Sequence, residues 1–287
     1  MTLDRLDDPE LATRWCADAR DAGTLGFVPT MGALHAGHLE LVRAAVREND
    51  QVCVSIFVNP LQFDDAQDLD SYPRDFEADA ALLDAEGCAL VFTGTLARFF
   101  PETESSQTIV LRDAGPGAIG LEGEHRPGHF AGVATIVGRL FELVQPTRAY
   151  FGEKDFQQTL VVRHVARRLR YPEIRVIPTS REPHGLARSS RNARLSPGGR
   201  EAAGRLSRAL FEARSAWERG VHDVAELEAV LAAALASPEI DVEYAAVRDS
   251  DDWTAARPAK PLAHPRALVA ASIDGVRLID NLALRDA

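Results

Sequence analysis

Short apolar runs alternate with amphipathic stretches over the first 178 residues of the chain. Strand-like runs occur at 24–29, 51–58, 88–93, 147–151 and 174–178. Between them, apolar residues recur every three or four positions at 38–48, 74–86, 131–144 and 156–170, which predicts amphipathic helices. Apolar strands that alternate with helices are typical of a parallel sheet covered on both faces. The pattern therefore predicts a doubly wound α/β domain.

The pattern changes after Pro178. A polar segment at 181–192 leads into an Ala-rich helical stretch at 201–236 and a strand-like run at 239–247. The apolar run at 267–279 is split by Asp274-Gly275, a dipeptide typical of a hairpin turn. We therefore expect a Rossmann-like domain at 1–178 and a smaller α+β domain at 179–287.

Composition narrows the range of partners. The chain has 287 residues, of which 46% are hydrophobic, and it can bury a large core. Its net charge of -11 and its lack of basic clusters predict neither a nucleic-acid partner nor a membrane partner. No run resembles a signal peptide or a membrane span, so we expect a cytoplasmic protein. Cys16, Cys53 and Cys88 lie in apolar surroundings and are expected to be buried thiols.

The first strand runs directly into a glycine turn that carries two histidines. Residues 27–38 read FVPTMGALHAGH, and the predicted helix begins close to His35 and His38. The start of a helix has backbone N–H groups without partners and a partial positive charge, which stabilise an anion. Gly32 and Gly37 let the backbone approach such an anion closely. The His-x-Gly-His motif at 35–38 is weak evidence by itself, but its place between a strand and a helix favours a phosphate site.

Two further segments follow strands of the same predicted sheet. Parallel sheets bind ligands beyond the carboxyl ends of their strands. The segments at 58–63 and 151–155 should therefore lie on the same edge as the histidine turn, around one crevice. Lys154, in the second of these segments, is one of only two lysines in the chain, the other being Lys260.

Six segments in order resemble the pantothenate synthetase family. They are PTMGALHAGH (29–38), SIFVNPLQF (55–63), YPR (72–74), RPGHFAGV (126–133), YFGEKDFQQ (150–158) and GLARSSRN (185–192). The resemblance spans nearly the whole chain. It implies an ATP-dependent ligase that joins pantoate to β-alanine through a pantoyl adenylate, releasing pyrophosphate and AMP. It also implies Mg²⁺ accompanying ATP, and a homodimer.

The same resemblance implies three sets of site residues. The catalytic set is His35, His38, Lys154, Ser189, Ser190 and Arg191. The ATP-binding set is Met31, Gly32, Ala33, Leu34, His35, Ala36, Gly37, His38, Gly152, Glu153, Lys154, Asp155, Ser180, Arg188, Ser189, Ser190 and Arg191. The substrate-binding set is Met31, Asn59, Gln62, Phe63, Arg126, Val133 and Gln158.

The chemistry of the implied reaction suits these residue types. A carboxylate with a pKa near 4 is already ionised at pH 7, so the first step needs no general base. It needs positioning and positive charge at the phosphates, and the resemblance assigns these to His35, His38 and Lys154, with His38 as the proton donor. The serine-serine-arginine loop at 189–191 would steady the departing pyrophosphate. By the same resemblance, the neutral amides of Gln62 and Gln158 would bind pantoate without neutralising the negative charge of its carboxylate. Gln62 would also border β-alanine.

Several roles remain open at this stage. Asp155 either caps the following helix or contacts ribose, and Arg126 and His129 either orient substrate or cap the site. Asp79 is a candidate metal ligand or histidine partner. Four apolar residues either form a wall for the substrate or belong to the core: Met31, Phe63, Val133 and Ile136.

Two departures from the family pattern and three rival functions complete the prediction. The family usually has Asp before the Gly-Leu-Ala and an apolar residue before the Ser-Ser, where this chain has His184 and Arg188. The alternative function is another His-x-Gly-His adenylyltransferase that acts on a cofactor precursor, which would need a basic pocket for an acceptor phosphate. A class I aminoacyl-tRNA synthetase would need a basic surface, and a catalytically silent nucleotide-binding dimer would not need His38, Lys154 and Arg191.

Overall fold

A computed structural model describes residues 3–64, 66–103 and 108–285 of the chain. The chain divides into two compact units. The first contains the residues up to Ala118, Glu122–Glu153 and Gln157–Pro178. The second contains Ile119–Leu121, Lys154–Phe156 and the residues from Thr179 onward.

A parallel sheet forms the centre of the first unit. Its strands are β1 (Asp4–Leu6), β2 (Leu25–Thr30), β3 (Gln51–Ile56), β4 (Leu90–Phe92), β5 (Arg148–Gly152) and β6 (Glu173–Ile177). Among the described residues the order across the sheet is β1-β4-β3-β2-β5-β6, and every pairing is parallel. The order reverses at β2, which has β3 on one side and β5 on the other. This arrangement confirms the predicted doubly wound α/β class.

Helices flank the sheet. They are α1 (Pro9–Ala22), α2 (Ala36–Glu48), α3 (Ala66–Ser71), α4 (Phe76–Ala85), α5 (Leu96–Phe99), α6 (Glu122–His125), α7 (His129–Val144) and α8 (Phe156–Leu169). Successive residues of a strand face opposite sides of a sheet. Phe27 of β2 accordingly packs in one apolar cluster with Phe92 and Phe141, while its neighbour Val28 packs in another with Val54.

The sequence analysis did not predict β1 or α1. β1 has only three residues, two of them charged, so it carries no apolar run. The residues that α1 buries, Pro9, Ala12, Cys16 and Ala19, are mostly small, and they give a weak helical pattern.

The second unit is built on an antiparallel sheet. After α9 (Pro197–Glu218) and α10 (Val224–Leu235), the strands β7 (Asp241–Asp249), β8 (Pro265–Ile273) and β9 (Val276–Ala283) pair in the order β7-β8-β9. Asp274 and Gly275 join β8 to β9 with φ values of +53° and +71°, as expected for the predicted hairpin turn. An apolar cluster that includes Leu206, Leu227 and Val269 fills the space beside this sheet. The smaller α+β region is therefore confirmed.

Two further expectations concern single features of the chain. Cys16, Cys53 and Cys88 are buried free thiols, as predicted. Within the described ranges, no helix has both the length and the apolar character that crossing a bilayer requires.

Candidate active site

Three sequence motifs follow neighbouring strands of the parallel sheet. The histidine turn follows β2, the Asn59–Phe63 segment follows β3, and Gly152 ends β5. Because β3, β2 and β5 are adjacent and parallel, their carboxyl ends lie at one edge of the sheet. This edge of the first unit therefore carries the turns that the sequence singles out.

His35 and His38 form a reciprocal cap at the start of α2. The Nδ1 atom of His35 accepts a hydrogen bond from the Gly37 N–H at 3.1 Å and also caps the His38 N–H. In return the Nδ1 atom of His38 accepts from the His35 N–H at 3.3 Å. The two ring centroids are 4.1 Å apart. The spacing of three residues places both rings over the same turn, as in a capping box.

This cap changes which hydrogen-bond donors at the start of α2 can bind an anion. The sequence analysis expected backbone N–H groups without partners, but the imidazoles already bind those of His35, Gly37 and His38. A neutral imidazole that accepts a bond at Nδ1 carries its proton on Nε2. In that tautomer Nε2–H is the ring donor of each histidine, and an imidazole N–H is a group from which phosphate oxygens accept hydrogen bonds.

Asp79, on α4, binds the other side of the same turn. Its Oδ2 accepts from the Ala33 N–H at 2.9 Å and its Oδ1 from the Leu34 N–H at 2.7 Å. A Cβ atom on Gly32, whose φ is +85°, would lie 2.9 Å from Asp79 Oδ2. Burial raises the pKa of Asp79, while the two backbone N–H groups oppose that shift.

These contacts bear on the possible metal role of Asp79. Both carboxylate oxygens already accept backbone N–H groups, and no group of three or more His, Cys, Asp or Glu side chains in the described part of the chain could hold a metal ion. A magnesium ion commonly keeps its waters and binds phosphate oxygens with few protein ligands. These two hydrogen bonds favour the role of a backbone anchor for Asp79 over that of a metal ligand.

Gln62 is fixed through both its side chain and its backbone. Its Oε1 accepts from Asn59 Nδ2 at 3.0 Å, and its Nε2 lies 3.2 Å from Met31 Sδ. Its carbonyl oxygen lies 3.2 Å from Arg126 Nη2 and 2.8 Å from His129 Nδ1. Arg126 and His129 thus contact the backbone of Gln62, which gives them a role in placing this residue.

Close packing supports that turn from the side of α7. A Cβ atom on Gly132 would lie 2.1 Å from the carbonyl oxygen of Leu61, so only glycine permits this approach. The carbonyl oxygen of Gly132 also accepts from Asn59 Nδ2 at 3.3 Å. The turn after β3 is therefore tied to α7 by backbone contact as well as by side chains.

The remaining substrate candidates of the first unit differ in exposure. Gln158 is half-buried, and among the described residues its side chain makes no hydrogen bond. Its neighbour Gln157 is buried and accepts the Glu122 N–H at 3.1 Å. Val133 and Ile136 belong to the apolar core, while Met31 and Phe63 are half-buried.

Lys154 belongs to the second unit and is held by β9. Its carbonyl oxygen accepts from Asn281 Nδ2 at 2.8 Å, and its Nζ lies 3.4 Å from Asp155 Oδ1. Asn281 is buried, and its Oδ1 accepts from Arg266. Sequence reasoning missed Asn281, because 127 positions separate it from Lys154 and no motif links the two.

The Ser189–Arg191 loop is also supported within the second unit. Ser189 Oγ accepts the Arg191 N–H at 3.3 Å and caps the short helical turn Ser190–Arg194. The Arg188 N–H donates to the Ser180 carbonyl at 2.9 Å, which joins the two ends of the segment 180–188 that precedes the Ser189–Arg191 loop. Asn192 is buried and donates to the Ala187 carbonyl at 3.0 Å.

An ion pair with β9 fixes the start of the segment 180–188, which leads into the Ser189–Arg191 loop. Arg181 binds both oxygens of the buried Asp280, at 2.6 and 3.0 Å. His184, one of the departures from the family pattern, has its Nδ1 3.8 Å from Glu182 Oε2. Among the described residues, the side chain of Arg188, the other departure, makes no hydrogen bond or ion pair.

The predicted site residues therefore divide between the units. The first unit holds Met31, Gly32, Ala33, Leu34, His35, Ala36, Gly37, His38, Asn59, Gln62, Phe63, Arg126, Val133, Gly152, Glu153 and Gln158, and the second holds Lys154, Asp155, Ser180, Arg188, Ser189, Ser190 and Arg191.

Comparison with known proteins gives one consistent result. The profile of the family described as Pantoate-beta-alanine ligase matches residues 6–283. A pantothenate synthetase from Magnetococcus marinus is 47% identical over 91% of this chain and 89% of its own length. One from Rubrobacter xylanophilus is 46% identical over 96% of this chain and 95% of its own length.

Solved structures agree with these relatives. The crystal structure of pantothenate synthetase from Thermus thermophilus matches with a TM-score of 0.87 and 45% identity, covering 99% of this chain and 100% of that one. A pantoate-beta-alanine ligase from Francisella tularensis, described as complexed with beta-gamma ATP and beta-alanine, matches with a TM-score of 0.79 and 30% identity. That match covers 100% of this chain and 99% of the Francisella chain.

Proposed function

The chain belongs to the pantoate-beta-alanine ligase family, and from this premise we propose how its residues join pantoate to β-alanine at the expense of ATP. The reaction proceeds through pantoyl adenylate and releases pyrophosphate and then AMP. The observation that carries the proposal is the edge of the parallel sheet. There the paired histidines after β2 and the fixed Gln62 after β3 follow adjacent strands.

In the first step the pantoate carboxylate attacks the α-phosphorus of ATP. A bond forms between a carboxylate oxygen and phosphorus, and the bond to the pyrophosphate oxygen breaks, so pyrophosphate leaves with the electron pair. The Nε2–H groups of His35 and His38 donate to the phosphate oxygens that gain charge. Lys154 and the Ser189–Arg191 loop supply further positive charge and hydroxyl donors for the triphosphate.

In the second step the amine of β-alanine attacks the carbonyl carbon of the adenylate. The carbon–nitrogen bond forms, the carbon–oxygen bond to AMP breaks, and the amine proton passes to solvent. Gln62 and Gln158 hold the pantoyl group throughout, and Gln62 also borders the incoming amine. Because amides carry no net charge, they bind pantoate without neutralising the nucleophile of the first step.

Magnesium belongs to this proposal as part of the nucleotide substrate. Mg²⁺ enters bound to ATP, where it would neutralise phosphate charge. We also propose a cytoplasmic homodimer, on the basis of the family resemblance. Light scattering of the purified chain would test the dimer by giving twice the chain mass.

The test of the function is pyrophosphate exchange. With ATP, Mg²⁺ and pantoate but no β-alanine, labelled pyrophosphate should appear in ATP, and exchange should stop when pantoate is omitted. Addition of β-alanine should then yield pantothenate and AMP in equal amounts. Formation of ADP, or exchange supported by a phosphorylated cofactor precursor in place of pantoate, would contradict the proposal.

A further inference from the structure

We propose that Asp79 is a positioning residue for catalysis, which holds the Gly32–Leu34 turn in the conformation that presents His35 and His38 to the nucleotide. The proposal rests on the proposed function for its catalytic readout only. Asp79 touches neither histidine in any contact described above. Asp79 acts through the backbone of Gly32–Leu34, which joins β2 to the two histidines.

The geometry of the turn explains why it needs an anchor. Gly32 and Ala33 both adopt positive φ values, +85° and +52°. Glycine adopts this region freely, but for alanine it is strained and persists only where the surroundings enforce it. The two N–H groups that donate to Asp79 belong to Ala33 itself and to Leu34, the next residue. Asp79 therefore acts where the strain lies.

An ionised carboxylate suits this position better than other side chains. Two converging N–H groups need two acceptors, and an ionised carboxylate has two oxygens and no proton. Asparagine has the same shape but only one acceptor, and its NH₂ group would face the second N–H. Burial raises the pKa of Asp79, so folding disfavours its charge, and a neutral residue here would remove that cost. A buried charge retained against such a cost is expected where it supports function.

The Asp79→Asn variant tests the proposal by separating stability from activity. It should keep an unfolding midpoint close to that of the parent chain, because the cost of burying a charge is removed. It should nevertheless lower kcat for pantoate-dependent pyrophosphate exchange by about ten-fold or more, since misplaced donors stabilise the transition state less well. The KM for pantoate should change little.

The matched control is Asp75→Asn on the same helix. Asp75 caps α4 by accepting the Ala78 N–H at 3.0 Å, and it makes no bond to the histidine turn in the described structure. Asparagine is an equally good cap. The charge of Asp75 also raises the pKa of Asp79, so its removal favours the ionised anchor, and this variant should keep activity and stability at no less than the parent level.

A second variant tests the reason for the effect. In the Asp79→Asn background, Ala33→Gly should recover at least about three-fold of the lost kcat, because glycine adopts the left-handed conformation without an anchor. A role of Asp79 as a metal ligand predicts a different rescue. In that case saturating Mg²⁺ would restore the activity of Asp79→Asn and Ala33→Gly would not, which would overturn the proposal.

Amide hydrogen exchange on the parent chain tests the anchor without any activity. The Ala33 and Leu34 amides should exchange at least about ten-fold more slowly than the Ala36 amide of the same turn, which donates no bond among the described residues. This protection should fall in Asp79→Asn. Unprotected amides in the parent, or unchanged kcat in a folded Asp79→Asn, would refute the proposal even if exchange confirms the ligase activity.

Discussion

The candidate residues of the first unit and those of the second are held in place by different kinds of contact. In the first unit, His35 and His38 cap each other within one turn, and both accept backbone N–H groups through Nδ1. In the second unit, Lys154 and the loop before Ser189 depend on β9, through Asn281 and the ion pair between Arg181 and Asp280.

The difference shows two ways of placing donors for a polyanion. The imidazoles of His35 and His38 are placed by hydrogen bonds to the backbone N–H groups of their own turn. Lys154 and the arginine loop carry full charge, and buried side chains of β9 hold them, Asn281 by donating to the Lys154 carbonyl and Asp280 by accepting from Arg181. The histidine pair therefore provides hydrogen-bond donors with a fixed direction, and Lys154 and the arginine loop provide positive charge for the phosphates.

The largest expected effect comes from removing the proposed phosphate donor of either unit. His38→Ala and Lys154→Ala should each slow adenylate formation by about 100-fold or more, because each removes a donor aimed at developing charge. Single-turnover formation of pantoyl adenylate is the measurement. Lys260→Ala, at the only other lysine, is the control and should react like the parent chain. A near-normal rate in a folded Lys154→Ala would show that direction alone is sufficient.

The glutamines of the first unit test whether pantoate is bound there. Gln158→Ala should lower kcat/KM for pantoate by about ten-fold, because a substrate group loses its hydrogen-bond partner. ATP affinity, measured by calorimetry without pantoate, should be nearly unchanged. Gln62→Ala should in addition weaken use of β-alanine in the second step. A variant that lost ATP affinity and kept pantoate affinity would contradict both assignments.

Asn281 tests whether the second unit places Lys154 through its backbone. Asn281→Asp keeps an oxygen for Arg266 but removes the donor to the Lys154 carbonyl. One lost hydrogen bond predicts about a five-fold rise in the KM for ATP, less than the effect of Lys154→Ala. The KM for pantoate should not move. If both KM values rose together, the role of Asn281 would be in folding only.

The smallest effect on the reaction is expected at Asp249, which sharpens the comparison with Asp79. Burial raises the pKa of Asp249, but four backbone N–H groups, from His264, Asp251, Asp252 and Ala263, outweigh it and leave the pKa below its usual value. Because the folded pKa is depressed, the ionised form stabilises the fold above the unfolded pKa near 4, and this is lost as pH falls through the folded pKa.

Asp249→Asn should therefore destabilise the protein near neutral pH by about 1–3 kcal/mol and leave kcat/KM unchanged. The difference from the parent chain should shrink below about pH 4, as measured by denaturant unfolding across a pH series. A difference that is independent of pH would mean that the charge of Asp249 is not what stabilises this region.

What the sequence could predict follows the distance between interacting residues. The histidine cap lies within four residues, and the strand and helix periods are equally local, so β2, α2 and the hairpin at Asp274-Gly275 were predictable. The Asp79 anchor is 45 positions from Leu34. The sequence analysis named Asp79 only as a candidate metal ligand or histidine partner, because its actual partners, the Ala33 and Leu34 N–H groups, are backbone groups that leave no mark on the sequence.

The contacts around the proposed substrate residues could not be predicted from the sequence either. Gln62 was predictable as part of the motif, but the contacts of Arg126 and His129 with its carbonyl depend on how closely α7 approaches the turn after β3. That approach depends on Gly132, which in the sequence looks like an ordinary helix residue with low helix propensity. Contacts between distant backbone segments therefore escaped the prediction, while motifs on single turns did not.

The scarcity of lysine has a practical consequence for chemical labelling. Lys154 and Lys260 carry the only side-chain amines in the chain, and the side chain of Lys154 is 20% exposed. An amine-reactive probe therefore has two side-chain targets, and Lys260→Arg leaves one. Protection of that remaining amine by ATP against the probe would report nucleotide occupancy at a single side-chain atom, without the background that lysine-rich surfaces usually impose.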